Sequence, residues 1–189
     1  MILDNLLMFT GTSNGTVTAP ASGPNTDAPT TGTQTSTNVI DLHLVGLPVL
    51  ASGQGARDMG IGDDPALKIL VQITVTFLTG TNMNVALQGT TDNGSGAPNS
   101  GGWTTYYVSP TIAVASLTAG QRLLDMDMPR PPPGVPVPRF LRLQYVTTGS
   151  AMTAGQVEGC IVLDRHDQMY NASNNAVLGG YPPGIVIAN

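Results

Sequence analysis

The sequence predicts an all-β protein, a jelly-roll-like antiparallel β-sandwich, and three observations carry that expectation. Apolar and polar residues alternate over several short stretches, the period of a strand with one buried face. Glycine and proline, 23 and 15 of the 189 residues, punctuate the chain between those stretches. No window long enough for a helix holds a helical apolar stripe free of both. About eight short strands with turn signals between them are expected to form one sandwich.

The clearest strand is "LKILVQITVTFL". Leu67, Ile69, Val71, Ile73, Val75 and Phe77 fall on one face and Lys68, Gln72, Thr74 and Thr76 on the other, with Leu70 and Leu78 as exceptions. "NVIDLHL" sets Ile40, Leu42 and Leu44 against Asp41 and His43, and "MNVALQ" sets Met83, Val85 and Leu87 against Asn84, Ala86 and Gln88. "RFLRLQY" opposes Leu141, Leu143 and Tyr145 to Arg142 and Gln144. "QVEGCIVLD" is more continuously apolar, as in a strand covered on both sides. "WTTYYV", "TIAVASL" and "QRLLDMD" are weaker candidates. "TGTN" at 79–82 predicts a hairpin, 91–102 a long exposed tip, and 147–155 a further loop.

A chain of this length suits one domain, 1–189, with a core from 1–9 and 35–166. Residues 10–37 form a Thr/Gly/Ser/Pro tract that cannot bury enough apolar surface to order itself alone, so 10–34 is expected to be an arm or insertion. Residues 167–189 are expected to be a C-terminal extension whose short apolar run could lie along an open sheet edge; by default each of the two segments is a floppy insertion, and the alternative is that either orders against a neighbouring subunit.

Charge narrows the function. Only 10% of residues are charged, the net charge is −5, and Lys68 is the single lysine among seven basic residues. Binding duplex DNA requires a basic stripe that neutralises many phosphates, and a polybasic membrane patch needs a similar cluster. Neither is visible, and no apolar run reaches the length of about 18 residues that spans a bilayer. The apolar N-terminus lacks the basic start of a secretory signal. With Cys160 as the only cysteine, no intrachain disulfide forms.

A search for chemistry returns no catalytic, cofactor or metal site. "GTSNG" matches a nucleophile elbow in form, but no helix follows Ser13. His43 and His166 are far apart, too few with Cys160 for zinc. Asp58, Asp63 and Asp64 lie on a Gly-punctuated loop without calcium-loop spacing. Asp125 and Asp127 share a strand face without a motif that marks them as paired acids. The chain is therefore expected not to be an enzyme.

One segment points to contact. "RPPPGVPVPRFLRLQY" places five prolines between residues 130 and 138, then enters a strand. Proline fixes φ and removes a backbone donor, so the segment is expected to be an extended strut at a sheet margin. It serves either as a rigid connection or as a ledge for a partner.

Taken in order, "MILDNLL", "TSTNVIDL", "RDMGIGDDPALKILVQ" and "RFLRLQYVTTGSAMTAGQVEGCIVLDR" resemble the jelly-roll capsid cement (decoration) proteins of tailed phages, of the Bordetella-phage type. The resemblance covers about the first eight residues and then 35–165. The 10–37 tract, the dense proline run and the long tail depart from the pattern. The resemblance implies a virion structural protein on the outer capsid surface. Such a protein binds an HK97-fold major capsid protein, clamps adjacent capsomers and self-associates as a dimer or trimer. The candidate contact residues are Arg57, Pro131, Pro132, Pro133, Pro136, Pro138, Arg139 and Arg142. The alternative is a carbohydrate- or receptor-binding jelly roll of a phage tail, with Trp103, Tyr106 and Tyr107 as a stacking platform or else divided between core and strand face.

Overall fold

The computed structural model describes residues 7–11, 26–42, 67–129 and 133–162, with the backbone of 169–171 and 176–178. Its strands are β1 (Gly32–Thr35), β2 (Ile40–Asp41), β3 (Lys68–Leu78), β4 (Asn82–Thr90), β5 (Thr104–Val108), β6 (Ile112–Ala113), β7 (Arg122–Asp127), β8 (Phe140–Thr148), β9 (Ala154–Val162), β10 (Met169–Asn171) and β11 (Ala176–Leu178). Strands β10 and β11 pair with each other. The remainder form an all-β sandwich of two antiparallel sheets. One sheet runs β1-β8-β4-β5, with β2 also on β8 and β6 also on β4; the other runs β7-β3-β9.

The alternation read in the sequence fills the space between the sheets. Leu141, Leu143 and Tyr145 of β8 and Met83, Val85 and Leu87 of β4 meet Ile69, Val71, Ile73 and Phe77 of β3 and Val157 and Ile161 of β9. Each such side chain contributes about 1.5–3 kcal/mol on leaving water. Leu70, an exception to the alternation, is buried on the far side of its sheet with Met8, Cys160 and Val162. That agrees with a β9 covered on both faces. Val75 breaks the predicted row: it is 42% exposed, and the β3–β9 ladder shifts register on either side of it.

The expected hairpin at 79–82 is instead an arch. Strands β3 and β4 lie in different sheets, β3 pairing with β9 and β4 with β8. Thr79 and Gly80 both take positive φ, 61° and 75°, and carry the chain across the sandwich. Residues 149–153 do the same between β8 and β9. The two arches are bound together: Thr79 Oγ1 donates to the Ala151 carbonyl at 2.8 Å and accepts from the Thr153 N–H at 3.0 Å. The result is a two-stranded ribbon bent over itself, the building principle of a jelly roll. At the start of β9, Gly155 has φ +127°, and a Cβ there would lie 2.0 Å from the Phe77 ring, so glycine is required.

Three further expectations change. "TIAVASL" forms only β6 and a single 3-10 turn, Val114–Ser116. The proline strut is not continuously extended, because a turn with φ +82° at Gly134 bends it. Part of the 10–37 tract belongs to the sandwich. Asp27 exchanges two backbone hydrogen bonds with Val157 of β9, both 2.9 Å, and β1 pairs with β8. This segment gains order by completing two sheet margins, which composition alone does not register. Residues 12–25, 43–66, 130–132 and 163–168 lie outside the described residues, as do Ser13, His43, His166 and the Asp58, Asp63 and Asp64 loop.

Candidate partner-binding surface

The predicted contact residues separate into distinct environments. Arg57, Pro131 and Pro132 lie outside the described residues. Pro133 and Pro136 are exposed, and Val137 between the last two prolines is 63% exposed. Pro138 is buried and packs over β4 where Gly89 has no side chain; a Cβ there would stand 2.7 Å from the Pro138 Cβ.

Arg139 is a clamp within the subunit. Its Nε and Nη2 donate to Oδ1 and Oδ2 of Asp41 at 3.0 and 2.9 Å, a bidentate pair, and its Nη1 reaches Asp92 Oδ2. Its backbone N–H donates to the Thr90 carbonyl at 3.0 Å, while its own carbonyl accepts from the Leu42 N–H at 2.8 Å. The hydrogen bond to Asp41, together with both carboxylate charges, holds the guanidinium pKa above its usual value. Strand β2, the 91–102 tip and the entrance to β8 are thereby fixed to one another. The tip itself is tied by Asn93 and Asp92 side chains accepting from backbone N–H groups inside it.

Arg142 occupies the outer face of the larger sheet. The β4–β8 register places Gln88 opposite Arg142, Ala86 opposite Gln144, and Asn84 opposite Val146. The β4–β5 register adds Val108, half exposed, beside Ala86. Neutral amides, hydroxyls and small apolar groups dominate this face. Arg142 lies flat on Trp103, its Cζ 3.9 Å from the ring centroid, and its Nε donates to Gln88 Oε1 at 2.8 Å. Gln88 Nε2 in turn donates to Thr105 Oγ1 at 3.3 Å and Gln144 Oε1 at 3.2 Å. Partial burial lowers the Arg142 pKa. Among the described residues no carboxylate pairs with it. On the same face Asn84 Oδ1 is buried without a donor.

The three aromatics considered as a platform are divided. Arg142 covers one face of Trp103, while Tyr106 and Tyr107 pack against the core. Asp125 and Asp127 are each ion-paired, with Arg122 at 2.7 Å and Lys68 at 3.2 Å.

A site absent from the sequence reading lies where β1 meets the β9 margin. Asp27 is buried and accepts from the Gly11 N–H at 3.4 Å, the Thr37 N–H at 3.1 Å and the Tyr145 hydroxyl at 3.0 Å. Burial outweighs these donors and raises its pKa. Burial and the neighbouring Asp27 also raise that of Tyr145. A cleft of about 240 Å³ opens beside the pair, lined also by Pro29 and Gln34. No sequence motif marks Asp27, because its donors, on Gly11, Thr37 and Tyr145, come from separate segments of the chain.

Among the described residues, no three His, Cys, Asp or Glu side chains gather as a metal site, and no helix is long and apolar enough to cross a membrane. A family model, Bbp16, matches residues 25–161, well over half of the chain, from just before Asp27 to within β9. No curated protein matches it.

Proposed function

The chain belongs to the Bbp16 family, named after a Bordetella bacteriophage protein, and on that premise we propose that it is a capsid cement protein. It binds the outside of an assembled phage head and bridges adjacent capsomers against the pressure of packaged DNA. The observation that carries this reading is the outer face of the β1-β8-β4-β5 sheet, dominated by neutral side chains around one aromatic-backed guanidinium, with the Asp41 carboxylate at its β2 margin paired to Arg139. Neutral amides and hydroxyls lose less on desolvation than charges do, so such a face suits tight apposition to another protein. Many copies on a repeating lattice multiply modest contacts into firm attachment.

The partner is the major shell protein, and the subunit acts as a homo-oligomer. Two measurements test the reading. Purified virions are expected to contain the protein in many copies, with density over capsomer junctions in a cryo-electron map. Heads lacking it are expected to rupture at lower temperature or osmotic shock than complete heads. Absence from virions, or density confined to the tail, overturns the proposal.

A further inference from the structure

We infer that Arg142 receives an aspartate or glutamate side chain of the shell protein, with Trp103 and Gln88 as its preset cradle. This rests on the cement reading and identifies the chemistry of its contact. The guanidinium is held on two sides: the Trp103 ring lies against its plane, 3.9 Å from Cζ, and Gln88 Oε1 takes the Nε proton. Gln88 is itself fixed by Thr105 and Gln144. The fork therefore points in a set direction, and its Nη groups retain donors suited to a bidentate carboxylate. Arg139, three residues earlier, shows the contrasting case, since its fork is spent on Asp41 and Asp92.

Half-burying a cation without an opposite charge is unfavourable, and a carboxylate supplied by a partner removes that penalty. The partner is not a second copy docked through the same face. A two-fold contact sets this face against itself; among the described residues its strands present Thr, Asn, Gln, Ala and Val side chains beside Arg142, and the Asp41 carboxylate at the β2 margin of the face is already held by Arg139. Nucleic acid is disfavoured as well, because one guanidinium among neutral amides is not a phosphate-tracking stripe.

The test measures binding of the full-length protein to purified heads that lack it. Arg142→Gln is expected to weaken binding about thirty-fold or more, the loss typical of removing one partner of a desolvated charge pair. Arg142→Lys is expected to fall between, keeping charge but losing the fork. Arg122→Gln, which removes a guanidinium from the opposite sheet, is expected to bind as the unaltered protein does. A second measurement leaves the protein intact: amidating head carboxylates with a carbodiimide and glycinamide is expected to abolish binding. Unchanged binding of Arg142→Gln, or of the unaltered protein to amidated heads, overturns this inference while the cement role stands. Failure of the unaltered protein to bind unmodified heads overturns the cement role and this inference together.

Discussion

The hydroxyl of Tyr145, 118 residues downstream, donates to the buried carboxylate of Asp27 at 3.0 Å. Through that bond the middle of β8 holds the segment that also borders β9, so one side-chain pair links both sheets. Tyr145→Phe keeps the ring and deletes the donor. It is expected to lower unfolding free energy by about 1–3 kcal/mol, the cost of leaving a buried acceptor short of a partner, as measured by urea denaturation.

The same carboxyl makes stability depend on pH in an unusual direction for an acid. Its folded pKa is raised by burial, so between the unfolded value of about 4 and the folded one, the native state holds the proton more tightly. Stability from this group is therefore present in acid and declines as pH rises through that window. Glu158 shifts upward for the same reason but is common to both proteins in the comparison. The stability of the unaltered protein minus that of Asp27→Asn is expected to fall from pH 4 towards neutrality. A flat difference would show that the hydrogen bonds to this carboxylate offset its burial.

Arg139→Met removes the cation shared by Asp41 and Asp92. The two carboxylates then repel, and β2 and the 91–102 tip lose their common anchor. A loss of about 1–3 kcal/mol is expected, in the range for hydrogen bonds to charged groups. Hydrogen exchange is expected to rise first at the Leu42 amide, which donates to the Arg139 carbonyl, with the β3–β9 ladder unaffected.

Gly155→Ala confronts two obstacles at once: φ of +127°, and a Cβ within 2.0 Å of the Phe77 ring. Destabilisation of about 3 kcal/mol or more is expected, read as a large drop in melting temperature. Pairing it with Phe77→Leu restores only part, because the backbone strain remains.

The strands were legible because a face buried between sheets imposes a period of two, which Leu141, Leu143 and Tyr145 display directly. What each strand pairs with was not. A turn such as Thr79-Gly80 has the same residue chemistry whether it joins paired neighbours or crosses a sandwich, and the choice is made by β8 and β9 far away. Residues 26–37 carry no apolar rhythm, since they are held by backbone pairing and by Asp27. Arg139 and Arg142 both stand among the candidate contact residues read from the sequence. Their different environments depend on whether Asp41 and Asp92, or Trp103 and Gln88, stand nearby in space. Sequence spacing does not encode that.

The bent ribbon also dictates when this chain is able to fold. The β4–β8 ladder pairs residues 50 to 66 positions apart, from Thr90 with Phe140 to Asn82 with Thr148, so the central ladders close late and at high entropic cost, the regime of millisecond-to-second folding. During synthesis, β3 and β4 emerge well before the residues that sheathe them. A nascent chain halted near residue 135 lacks β8 and β9, so β4 and β3 each keep one bare edge, and it is the species most prone to aggregate or to engage a chaperone.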